Sequence, residues 1–144
     1  MSYRYLEDIA TADVAFEARG KTMEDMFVAA AEASMNVMVD ELNSIEAGEH
    51  RRISLRSETV DMLLFDFIQE LIYYKDADQL LLRVSQIFIE PEDAGFRLQA
   101  DLCGEVLDPV KHALNVDVKA VTLHRFSVEQ TPTNGWKATV ILDI

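Results

Sequence analysis

Apolar and polar residues alternate through the last nine positions of the chain. Trp136, Ala138, Val140, Leu142 and Ile144 fall on one face and Lys137, Thr139, Ile141 and Asp143 on the other, the period of a β-strand. The same period marks Tyr3 to Asp8, then Asp13 to Ala18 with Val14, Phe16 and Ala18 on one side, then Arg51 to Arg56. Leu80 to Glu90 and Phe96 to Cys103 predict a hairpin around Pro91 to Gly95, with Gly104 ending its second strand. Val116 to Glu129 predicts a long strand that turns at Asn134-Gly135 into the final one. That pairing sets Asp143 near His124, in a register the sequence leaves open. Two stretches change period. Met23, Phe27, Ala30, Ser34 and Val37 recur at helical spacing behind Thr22 as N-cap, to about Met38. Val60, Leu63, Leu64, Phe67, Leu71 and Ile72 do so in a second helix, Glu58 to Tyr74, capped by Ser57 and closed by a turn at Lys75 to Asp78. Met62, Phe65 and Ile68 widen its stripe, which predicts a helix covered on most sides. A short helix is expected from Asp108-Pro109 to Leu114.

This order predicts an α+β fold, a single domain over residues 1–144, with mostly antiparallel sheet packed against two main helices. The 144 residues suffice for one buried core. No apolar run reaches the ~18 residues of a membrane span, and the first residues carry no apolar signal segment. A single cysteine, Cys103, leaves no internal disulfide, and a reducing, cytoplasmic setting is the simplest expectation. The net charge of −13 disfavours direct nucleic-acid binding and suits a basic protein partner or bound cations, or serves solubility alone.

Chemistry-bearing residues are few. Gly20-Lys21-Thr22 resembles the end of a phosphate-binding loop, but position 15 holds Ala15 where that loop needs glycine, so the three residues are a helix start. Cys103, His112 and His124 show neither nucleophile–base nor zinc-ligand spacing. Asp13 and Asp143 differ, since each sits at the end of an apolar strand, where an unpaired carboxylate is costly. With Ile144 as the last residue, its α-carboxylate lies beside Asp143. If the first and last strands are neighbours, Asp13, Asp143 and the Ile144 carboxylate can meet around one hard cation. The alternative for each acid is an ordinary turn or capping residue.

Taken together, the Ala10-Thr11-Ala12-Asp13 entry to the strand, Gly20-Lys21-Thr22, Gly104-Glu105, Asp117 to His124 and the closing Val140-Ile141-Leu142-Asp143-Ile144 resemble the archease family over essentially the whole chain. Many relatives carry histidine where this chain has Ala10. The resemblance implies a non-enzymatic activator of an RtcB-type tRNA-splicing RNA ligase, which joins a 3′-phosphate or 2′,3′-cyclic phosphate end to a 5′-hydroxyl through a histidine–guanylate intermediate. The activator promotes guanylylation and turnover. The resemblance also implies a calcium site at Asp13, Asp143 and Ile144, and contact of Lys119 with the ligase or its substrate phosphate. Two alternatives accompany it: a chaperone-like modulator of a tRNA methyltransferase, and a metal-dependent hydrolase with His124 as its base.

Overall fold

A computed structural model describes residues 1–7 and 13–144. The Ala10-Thr11-Ala12 entry, and the Asp8 end of the first predicted strand, lie outside the described residues. The chain forms β1 (Ser2–Leu6), β2 (Asp13–Gly20), α1 (Met23–Met38), β3 (Glu49–Ser57), α2 (Val60–Asp78), β4 (Leu80–Glu92), β5 (Gly95–Val106), β6 (Ala120–Gln130) and β7 (Trp136–Asp143), with a 3-10 turn at Leu42–Ser44. The strands make two antiparallel sheets, β1-β2-β7-β6 and β3-β5-β4. Each helix touches both sheets, so the α+β expectation holds and one core joins all the layers.

The first helix starts where expected: the Thr22 hydroxyl accepts from the Asp25 N–H at 3.0 Å, with Glu24 and Asp25 in the first turn. Its buried face mixes Met26, Phe27 and Met35 with Ala29, Ala30 and Ala33, small residues that let the sheet approach closely. Phe27 meets Phe67 of α2 with ring centroids 5.8 Å apart, tying the two helices together.

The second helix departs from expectation at both ends. Ser57 is the last residue of β3, paired with Phe96, and the cap is Thr59, which accepts from the Met62 N–H. The predicted turn at Lys75 to Asp78 is the last turn of the helix, which closes at Gln79 in the left-handed conformation. A charged run suggested a turn, but Lys75 continues the buried stripe of Leu64, Ile68 and Leu71 at helical spacing.

Three further expectations are corrected. Asp108 to Leu114 is a set of turns, not a helix: the Val110 N–H donates to Asp108 Oδ1 at 3.0 Å, and Val110 is 96% exposed, so no apolar face holds a helix there. Gly104 does not end β5. It lies within the strand, where a Cβ would come 1.7 Å from the Leu81 carbonyl oxygen, so glycine permits the close approach of β4. The long strand begins at Ala120 rather than Val116, because residues 107–119 are spent crossing from one sheet to the other.

Candidate metal centre

Strand β7 lies inside its sheet, with β2 on one side and β6 on the other. Val14, Phe16 and Ala18 of β2 face Leu142, Val140 and Ala138 across the ladder, and this face packs towards the helices. The opposite face carries Asp13, Ala15 and Glu17 against Asp143, Ile141 and Thr139. Asp13 and Asp143 are therefore direct cross-strand partners on one face, both half-buried. Cβ atoms so placed stand about 4.5–5.5 Å apart, and like charges there destabilise the pair.

The same face shows how the protein treats a carboxylate that it neutralises itself. Glu17 receives Arg4 Nε at 2.6 Å and Arg19 at 3.1 Å, with Lys137 at 3.8 Å. The hydrogen bond from Arg4, helped by the charge of Arg19, holds the Glu17 carboxyl below the usual range despite its burial. Asp13 and Asp143 have no such cover: among the described residues, neither takes part in a salt bridge. Between the two carboxylate sites lies the pair Ala15 and Ile141, each 1% exposed, which isolates the aspartates from that basic cluster. Among the described residues no group of three or more His, Cys, Asp or Glu side chains could hold a metal ion, so the pair by itself would offer two carboxylates, an oxygen-only chemistry that would suit a hard cation rather than zinc. Ile144 follows directly and packs on the core rim.

The register that the sequence left open places Asp143 opposite Ala120, the first residue of β6, and not near His124. Two features cause the shift. The strand starts late, and its pairing jumps between Thr122 and Ser127, where Arg125 takes a positive φ of 52° and Leu123 and His124 bulge into solvent. The base that the hydrolase alternative assigned to His124 is thus displaced along the strand. Cys103 lies in the other sheet, opposite His50 and Arg83. His112 is buried against Glu105: its Nδ1 accepts from the Asp108 N–H at 2.9 Å, so Nε2 carries the proton and donates to Glu105 Oε1 at 2.8 Å. The Glu46 N–H, Lys111 and His112 together pull the Glu105 carboxyl down to about 2. This cluster ties a loop down and leaves His112 no free nitrogen for Cys103.

Lys119 reaches the aspartate pair through its backbone, not its side chain. Its N–H donates to the Asp143 carbonyl at 2.8 Å, one residue before β6 begins, and its side chain is exposed. Sequence reasoning missed what holds that segment. Val118 is fully buried, and Lys75 Nζ donates to the Val118 carbonyl at 2.7 Å and to Asp117 Oδ1 at 2.7 Å, with Asp76 also bonded. The available signal was a lysine falling in step with the apolar stripe of α2.

A sequence profile of the Archease protein family (MTH1598/TM1083) matches residues 3–144. The chain belongs to the archease family. Protein archease of Pyrococcus abyssi is 35% identical over 134 residues, 93% of this chain and 94% of that protein. Protein archease of Methanosarcina mazei is 35% identical over 143 residues, 99% and 95% of the two chains. Among solved structures, Methanobacterium thermoautotrophicum protein 1598 superposes with a TM-score of 0.84 at 33% identity, covering 99% of this chain and 98% of that one. A Thermotoga maritima structure described as an archease, possible chaperone, shares the fold at 19% identity and TM-score 0.59, covering 94% and 93%.

Proposed function

We propose that this archease activates an RtcB-type RNA ligase, promoting its guanylylation and turnover, and that Asp13, Asp143 and an α-carboxylate on Ile144 hold a calcium ion. The observation that carries the reading is the direct opposition of two carboxylates on a sheet face where the neighbouring Glu17 has three cations and, among the described residues, this pair has none. A bound divalent ion supplies the missing positive charge. The protein holds the two strand ends in register, so the carboxylates converge without searching. Lys119 is exposed and its backbone N–H bonds the Asp143 carbonyl, so its side chain is then available to an acidic or phosphate group of the partner. The net charge of −13 supports action on a protein rather than an independent grip on RNA. No helix among the described residues is long and apolar enough to cross a membrane. A cytoplasmic site of action belongs to the same proposal.

The test is ligation of a 3′-phosphate RNA by limiting ligase, with and without this protein. The expected result is multiple turnover only in its presence, and weaker activation by Asp13→Ala. Single-turnover ligation with and without the protein alike would refute the activator reading.

A further inference from the structure

Lys75 is a lysine at 6% side-chain exposure on the core stripe of α2. Its ammonium has three donors, and all three are used: the Val118 carbonyl, Asp117 Oδ1 and the Asp76 carboxylate. The Val118 carbonyl and the Lys119 N–H are the two ends of one planar peptide unit. The carbonyl end is held by Lys75 at 2.7 Å and the N–H end donates to Asp143 at 2.8 Å. A chain of two hydrogen bonds therefore runs from α2, through a single peptide plane, to the backbone of Asp143. Clamping a peptide at both ends fixes its rotation, and with it the carbonyl of Asp143 and the starting direction of the Lys119 side chain.

Stability does not account for this lysine. A buried ammonium is costly to desolvate, and an apolar residue of similar volume often serves a core as well or better. Its carboxylate partners are exposed, Asp76 at 55% and Asp117 at 66%, so removing Lys75 strands no buried charge and leaves one buried acceptor, the Val118 carbonyl, without its donor. We propose that Lys75 is a positioning residue for the aspartate pair, locking Lys119 and the end of β7 in place through the Val118–Lys119 peptide. The inference rests on the reading of Asp13 and Asp143 as a cation site.

The test uses the full chain, Lys75→Met and Asp117→Ala. Three quantities are measured: amide exchange of Lys119 by NMR without metal, calcium affinity by calorimetry, and thermal midpoint. In Lys75→Met the Lys119 amide should exchange at least about tenfold faster while the Val140 amide changes far less, and the midpoint should fall by only a few degrees, the cost of one buried carbonyl left without its donor. Calcium should bind several-fold more weakly. That sign is diagnostic, because deleting a nearby positive charge without any loss of geometry would tighten calcium binding. Lys119 exchange within twofold of native, or tighter calcium binding, overturns the proposal. Should Lys75→Met fail to fold, the exposed Asp117→Ala decides: a smaller loss of Lys119 protection supports the proposal and none overturns it. A native chain that takes up no calcium refutes the cation reading, and the metal-free exchange measurement then judges Lys75 alone.

Discussion

Replacing Asp143 with asparagine should stabilise the metal-free protein and remove most of its response to calcium. The side chain keeps its size and loses its charge, so what changes is the repulsion across the ladder from Asp13. Two unit charges about 5 Å apart in a water-like surroundings repel by roughly 0.8 kcal/mol, and more where the half-buried setting lowers the dielectric. Relief of about 1 kcal/mol should raise the midpoint by about 2–5 °C for a chain of this size. Calcium reverses the order. At a concentration about 100 times its dissociation constant, a ligand stabilises the folded state by about 2.7 kcal/mol. A variant whose affinity has fallen by about thirtyfold gains only about 0.9 kcal/mol under the same conditions. Denaturation of the two proteins, each in excess chelator and in calcium, gives four midpoints. The native chain should be the less stable of the two in chelator and the more stable in calcium. The reasoning is refuted if Asp143→Asn is less stable than native in chelator, or if calcium raises both midpoints equally.

Lys119→Ala keeps the N–H that bonds Asp143, so calcium affinity should be unchanged while ligase activation falls; Lys119→Pro, which lacks that N–H, should lose affinity as well. Calorimetry on both variants, beside a ligation assay, checks this. Residues appended after Ile144 replace any terminal carboxylate by a neutral carbonyl, so calcium affinity should fall in the order native, extended, Asp143→Ala, whereas an N-terminal extension should be harmless. The depressed Glu105 carboxyl, about 2 against an ordinary 4.5, stabilises the fold above the unfolded value. That contribution should drain away as pH falls from about 4.5 towards 2, and Glu105→Gln should flatten the acid limb of stability against pH in that window.

Local pattern alone determined most of the elements. The strict alternation in β7 and β2, the Thr22 cap and the apolar stripe of α2 each depend on neighbours a few residues away, and each appears where the period put it. That Asp13 and Asp143 stand out was also legible, since an acid at the end of an apolar strand is a local oddity. That they face each other was not, because register is settled by which hydrophobic faces meet across the whole sheet. The same cause moved the partner of Asp143 from the neighbourhood of His124 to Ala120: a jump in pairing between Thr122 and Ser127 leaves no mark in an alternation count. Lys75 shows the limit from the other side. Its charge suggested a turn, whereas three acceptors brought together from Asp76, Asp117 and Val118 let it end a buried helix stripe. A buried charge is tolerable only when its partners are in place, and two of those partners arrive from a segment more than forty residues further along the chain. Only the tertiary structure, which sets that segment beside α2, decided where the lysine points and what it holds.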